Sequence, residues 1–317
     1  MLRVSSGSRP RVRAVWSLAS LVFRTLWVIV GIRSVKNGVR AVVLNVRHRI
    51  NKIMNRKRRH TVFVDGGLGS QILSLMMGLH RKELDSRTRI DTTYFRDKGS
   101  MPVQTESGLT DWPWELSPYG FEAEDFDFAP ETFASRPSFR EQYAAESPHY
   151  RDMFSRDWRT VFPLISGCET KLEHYGVSTA SNFGVVHLRR GDYLHVSSRV
   201  VSTEEVVTVL RQVRPLVPNI VYVLSDATVT PEEMSALGDA VPDVDIRSFS
   251  HPDIHVVHGL MRLATFLVTS NSTFSWSAAV LREKPDSIVF SPQHFYGRDM
   301  LYRNAQFQSN SEWMLTL

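Results

Sequence analysis

Two rhythms of apolar and polar positions take turns along residues 182–317. FGVVHL, NIVYVL, TFLV and SIVF are short, almost continuously apolar and rich in β-branched residues, as strands covered on both faces should be. Between them, STEEVVTVLRQVRPLV, TPEEMSALGDA, DIHVVHGLMRLA and TFSWSAAVLREK space their apolar residues as amphipathic helices do. Ser202 or Thr203 stands before an acidic first turn, which is an N-cap signal. VDIRSF reads as one more strand. Strands alternating with helices predict a parallel, doubly wound sheet. Upstream, TVFVD, the glycine turn GGLGS and the periodic stretch QILSLMMGLHRKEL predict strand, tight turn and helix, the opening of a βα unit. Residues 99–150 are rich in Pro, Ser, aromatic and acidic residues and lack periodicity, so loops and short helices are expected there.

The first 60 residues follow other rules. They hold 15 of the 38 Lys and Arg and none of the 33 Asp and Glu, leaving 23 basic against 33 acidic side chains in the body. An acidic body argues against nucleic acid as a partner. AVWSLASLVFRTLWVIVGI (14–32) is long enough to span a bilayer, with Arg24 near its centre, and RAVVLNVRHRINKIMNRKRRH resembles a basic amphipathic helix. The expected partner of residues 1–60 is an anionic membrane surface. A type II (Golgi) membrane anchor and an organelle-targeting segment are the alternatives. Cys168 is the sole cysteine, so no internal disulfide forms, and a membrane-associated protein with a cytosol-facing site is expected. Three regions follow: an arm (1–60), an N-terminal domain (61–180) and a C-terminal domain (181–317).

In an open parallel sheet, ligands bind beyond the carboxyl ends of the strands. Three polar clusters fall there: Arg189, Arg190 and Asp192; Ser225 and Asp226; and SNSTFS (270–275), which also begins a helix. Guanidinium forks and a helix N-terminus suit a diphosphate. GGLGSQ (66–71) adds a backbone that a ligand can approach closely. It is neither G-x-G-x-x-G nor a phosphate loop ending in G-K-[ST].

HLRRGDY (187–193) resembles the H-x-R-R-x-D signature of the α-1,2-fucosyltransferase family and its GDP-fucose-using relatives. GGLGSQ resembles that family's N-terminal Gly-Gly-Leu-Gly-Asn-Gln segment, and SNSTFSWSAAVL (270–281) its Asn-Ser-Thr-Phe-Ser-Trp-Trp-Ala-Ala motif. The three occur in the family's order over residues 61–295. The resemblance implies a GT-B-like α/β fold of two Rossmann-like domains. It implies an inverting, metal-independent transferase moving L-fucose from GDP-fucose to an acceptor glycan or glycolipid, at the 2-hydroxyl of a galactoside. No cofactor is implied beyond the donor. By similarity, Arg189 and Arg190 grip the diphosphate with Asp192 beside them as catalytic residues, so Arg190→Ala should abolish transfer with the fold intact. The donor would be held by Gly66, Gly67, Gly69, Gln71, His187, Ser225, Asp226, Asn271, Ser272, Thr273 and Phe274. The domain from 61 would face the acceptor, and the domain from 181 would hold the GDP-sugar. Ser70 and Ser277 depart from the pattern, which should alter the acceptor-side wall, and Ala227 replaces the second aspartate of the family's Ser-Asp-Asp segment. A transferase of another linkage or nucleotide sugar, and a non-catalytic nucleotide- or sugar-binding protein, remain as alternatives.

An inverting transfer wants a base at the acceptor hydroxyl. Asp192, Asp65 and His187 are the options, with a salt bridge to Arg189 or Arg190 as the other role for Asp192 and a hydrogen-bonded core position as that for His187. Asp253 stands about one turn from the position of a family acidic residue. His251, His255 and His258 are spaced for one helix face, read as a helix surface or pocket rim rather than zinc ligands. Trp112, Trp114 and Tyr119 could stack on a sugar or pack a loop. The acidic pairs of DFD (125–127) and DVD (243–245) read as solvent-facing, and no metal is expected. RGD (190–192) follows a strand too closely to be an adhesive loop, and Asn271-Ser-Thr opens the proposed site helix, so neither is taken as functional.

Overall fold

A computed structural model describes residues 60–97, 104–105, 108–109, 112–129, 142, 150–191, 200–292 and 302–305. The basic arm and Asp192 lie outside these. Contacts divide the chain after Arg59, and residues from His60 onward form one unit.

That unit opens as the βα pattern predicts. Thr61–Phe63 (β1) leads through the glycine turn into Leu68–Leu84 (α1), and Arg89–Asp91 (β2) pairs parallel with β1 from Thr61↔Arg89 to Phe63↔Asp91. β2 escapes the sequence pattern because RID is three residues long and two are charged. Its Asp91 is nonetheless buried, with Oδ1 accepting the Thr93 N–H at 2.8 Å. Thr93–Arg96 (α2), the antiparallel pair Gln104–Thr105 (β3) and Gly108–Leu109 (β4), Tyr150–Phe154 (α3) and Cys168–His174 (α4) follow. The apolar side of α1, including Leu68, Ile72, Leu75 and Met76, packs with Trp158 and Phe162 into one core.

Gly184–Leu188 (β5), Thr203–Gln212 (α5), Ile220–Ser225 (β6), Pro231–Ala240 (α6), Asp245–Ser248 (β7), Ile254–Leu263 (α7), Phe266–Val268 (β8), Thr273–Val280 (α8), Ile288–Pro292 (β9) and Tyr302–Ala305 (β10) complete the described chain. The sheet order is β10-β9-β8-β5-β6-β7, parallel except for the β10 edge. Side-chain alternation explains why it is wound on both faces. Val186, Leu188, Val221, Val223 and Phe266 join Val206, Leu210 and Leu237 of α5 and α6 on one side. Val185, Leu224 and Leu267 join Val256, Leu260 and Ala278 of α7 and α8 on the other.

The helix starts agree with their chemistry. Ser202 and Thr230 cap α5 and α6 through capping boxes with Glu205 and Glu233. α8 has a second duty. Its Trp276 and the following Leu281 enter the core built around α1, while Ala278 and Ala279 face the six-stranded sheet. The two halves of the unit are thus joined through α8, and the site lies at that seam.

Among the described residues no helix is long and apolar enough to cross a membrane.

Candidate ligand cleft

From β5 the chain winds to β6 and β7 on one side; from α7 it returns to β8 on the other side of β5. The carboxyl ends of β5 and β8 therefore flank the switch point of the sheet, where a crevice must open. A cleft of about 330 Å³ lies there. Gly66–Ser70 and Trp112 form one wall. His187, Arg189, Ser225, Asp226 and Ser272–Phe274 come from the strand ends, and Phe249–Pro252, Ile254 and Val257 close the far side.

The glycine turn exists to bring two helix starts together. Gly66 sits at φ 74°, in the left-handed region. A Cβ on Gly69 would lie 2.4 Å from the Thr273 carbonyl carbon and from the Phe274 nitrogen, so only glycine lets α1 begin against α8. Ser70 and Thr273 hydroxyls meet at 3.1 Å across the contact. No side chain caps α1, whereas Ser272 Oγ accepts the Phe274 N–H at 3.3 Å to cap α8; neither helix has an acidic residue in its first turn. Two positive helix ends thus converge on one crevice. Gly69→Ala is expected to destabilise the protein by roughly 1–3 kcal/mol through overpacking, read as a lower melting temperature; an unchanged value would contradict the close approach.

Gln71 and Asn271 are fully buried and absent from the cleft wall. Gln71 Nε2 donates to the Gly66 and Pro113 carbonyls, both at 2.8 Å, and its Oε1 accepts the Glu115 N–H at 2.9 Å. It pins the glycine turn to the Trp112–Glu115 loop. Trp112 reaches the cleft against Gly67. Trp114 and Tyr119 do not: Trp114 packs edge-to-face on Phe95, and Tyr119 edge-to-face on Phe162 and His255.

The two adjacent arginines diverge. Arg189 lines the cleft, its guanidinium 2.8 Å from Asp226 Oδ2. Arg190 turns away from it and is 7% exposed. Its Nη1 donates to the Val201 carbonyl at 2.6 Å, and its Nη2 to Thr203 Oγ1 at 2.7 Å and Glu233 Oε1 at 3.1 Å. Thr203 in turn donates to Glu233 at 2.6 Å. Burial opposes ionised Glu233, but the Thr203, Thr230 and Arg190 hydrogen bonds outweigh it and hold the carboxyl below its usual range. Arg190, expected to grip the ligand beside Arg189, is thus absent from the cleft wall and ties the tip of β5 to the starts of α5 and α6. Successive residues leaving a strand point to opposite sides, which is why one arginine reaches the crevice and its neighbour the helix layer.

Of the three options for a base, His187 is buried with Nδ1 2.7 Å from Ser270 Oγ, and Asp65 follows β1 without entering the cleft wall. The histidine spacing predicts a helix surface or pocket rim, but His255 is buried against Tyr119 and Glu115 and His258 against α8. His258 Nε2 lies 2.9 Å from Ser277 Oγ, which also donates to the Phe274 carbonyl. The departure at Ser277 thus faces α7, and Ser277 is absent from the cleft wall. His251 precedes the helix, accepts the Asp253 N–H on Nδ1 at 2.9 Å and does line the cleft. Asp253 caps α7 and pairs with Lys171 at 2.8 Å. In DFD and DVD, Asp125 accepts the Glu122 N–H, and Asp127, Asp243 and Asp245 pair with Arg89, Arg214 and Arg247. Of the far wall, Phe249–Pro252, the sequence flagged only His251, as a helix-surface or pocket-rim residue; Phe249 ends the stretch VDIRSF and Ser250 and Pro252 follow it directly.

Burial, reinforced by Arg189, lowers the His187 pKa to about 3; burial, reinforced by Arg262 and His255, holds His258 well below its usual value. Both stay neutral when folded, whereas the unfolded chain protonates them near pH 6.5. Their contribution is present above pH 6.5 and is lost progressively as pH falls, for His187 down toward about 3. The urea midpoint should drop between pH 7 and pH 5, and His258→Asn should make that drop shallower.

Family models and curated proteins yield no match to the chain. Among solved structures it is similar to the fucosyltransferase NodZ from Bradyrhizobium, at 14% identity over 78% of this chain and 99% of that one, with a TM-score of 0.40. It is also similar to POFUT1 in its apo form, at 13% identity over 74% and 97% of the two chains and a TM-score of 0.42. POFUT1 in complex with GDP-fucose gives 13%, 71% and 94%, and 0.39. Likeness this loose carries no argument about function.

Proposed function

We propose that the protein is a glycosyltransferase that moves L-fucose from GDP-fucose to a hydroxyl of an acceptor glycan or glycolipid. The observation that carries this is the convergence of Arg189 and the starts of α1 and α8 on one cleft. The same lining carries an apolar group, Phe249, Pro252, Ile254 and Val257. That combination suits a nucleoside diphosphate, phosphates toward Arg189 and the helix starts, base against the apolar group. The H-x-R-R-x-D, glycine-turn and Asn-Ser-Thr-Phe resemblances supply the choice of GDP-fucose within that class.

The chemistry follows from charge. Breaking the sugar–phosphate bond builds negative charge on the departing GDP and positive charge on the sugar ring. Preorganised donors at the diphosphate stabilise the leaving group as it forms. Arg189 and two sets of helix N–H groups can supply that stabilisation directly, so we propose metal-independent transfer. An inverting attack at the 2-hydroxyl of a galactoside is the finer reading, taken from the family resemblance. Residues 1–60 are proposed to hold the protein on an anionic membrane surface with its cleft toward the cytosol.

The test is GDP release by the full chain from GDP-fucose, GDP-mannose and UDP-galactose, with acceptor glycans and EDTA present. Release from GDP-fucose alone is expected. Release from another donor alone would replace the sugar assignment, and no release from any would contradict transfer. Deleting residues 1–59 should move the protein from the membrane pellet to the supernatant; persistence in the pellet would contradict the role of the arm.

A further inference from the structure

Asp226 sits inside a cleft otherwise arranged for an anion, and its surroundings are built around its carboxylate. Oδ1 accepts the Arg190 N–H at 2.6 Å, and Oδ2 holds Arg189 Nη1 at 2.8 Å. A Cβ on Gly191 would collide with Oδ2, so glycine after the arginine pair leaves room for this carboxylate. The paired side chains are 18% and 25% exposed while Asp226 as a residue lies at the surface, so the pair is half-buried and water screens it only somewhat less than a fully exposed bridge.

We infer that Asp226 is a positioning residue that holds Arg189 as a resting counter-anion, and that the ligand's phosphates bind by competing with it for that guanidinium. This rests on the reading of the cleft as a diphosphate site. Asp226 helps to keep Arg189 at the mouth of the crevice, limiting the many rotamers open to a long side chain. Because the phosphates must displace it from Arg189, affinity for the leaving GDP is held down and product release is favoured. The role differs from that of a donor contact. A residue that bonds the ligand strengthens binding, whereas a competing anion weakens it.

The opposite signs give the experiment. Asp226→Asn keeps an Oδ1 acceptor for the Arg190 N–H and removes the charge. By calorimetry on the full chain, Asp226→Asn should bind GDP roughly tenfold more tightly than wild type, with its melting temperature held. In an Arg189→Gln background the same substitution should tighten binding much less, since the competition is for Arg189. Asp226→Ser, which retains an acceptor with less bulk, is the second variant should the first unfold. Weaker binding with an intact fold would make Asp226 a direct ligand contact and overturn the inference. So would unchanged affinity, an equal gain without Arg189, or loss of the fold in both variants. Wild-type protein that binds no GDP would overturn the diphosphate reading as well, so the two failures are distinguishable.

Discussion

Arg189→Ala is expected to slow GDP release from GDP-fucose by roughly 10²–10³-fold, the cost of removing one preorganised donor from developing charge. Affinity for GDP should fall with it, because a charge-assisted hydrogen bond to phosphate is among the stronger contacts a cleft can offer. The fold should survive. Asp226 loses one partner but keeps the Arg190 N–H, and at 25% side-chain exposure it can be hydrated. Arg189→Lys should recover only part of the activity, since an ammonium keeps the charge but not the fork. Steady-state kinetics with a melting curve for each variant checks both halves. Normal turnover in Arg189→Ala would remove the guanidinium from the chemistry.

Arg190→Ala should fail differently. The substitution removes the guanidinium donors from the Val201 carbonyl, Thr203 and Glu233, and leaves a partly buried carboxylate held only by Thr203 and Thr230 beside the starts of α5 and α6. Removing one member of such a pair costs about 3 kcal/mol, and the loss should appear in the denaturant midpoint before it appears in the ligand affinity of the remaining folded protein. A double-mutant cycle with Glu233→Gln isolates the pair, and a coupling energy of at least ~1 kcal/mol is expected. Equal stability for wild type and Arg190→Ala, with GDP binding abolished, would place the guanidinium on the ligand after all. The two arginines are adjacent in sequence, so their contrasting phenotypes are a stringent check on the geometry of this strand tip.

Much of the fold is legible in the sequence because the signals are local. The continuous apolar runs that become β5, β6, β8 and β9 need both faces covered, and the capping residues Ser202, Thr230 and Ser272 bond donors two or three residues away. The glycine turn is legible for the same reason. What was hidden depends on distant partners. The direction of Arg190 is decided by Thr203 and Glu233, 13 and 43 residues onward. His258 reads as a surface or pocket-rim histidine until α8 is laid over α7 and Ser277 meets it. β2 and β10 are short and polar, and they are defined by the strands they pair with rather than by their own periodicity. The far wall of the cleft follows β7, an edge strand whose side chains are mostly exposed, so no apolar pattern draws attention to Phe249–Pro252.

The central claim is that the crevice at the sheet's switch point holds a nucleoside diphosphate. Amide hydrogen exchange on the full chain, with and without saturating GDP, tests it by location. Protection is expected at the start of α1 (68–70), at the start of α8 (273–275) and in 249–252, with little change in α6. GDP-dependent protection confined to other segments, or none despite measured binding, would contradict the assignment of this cleft.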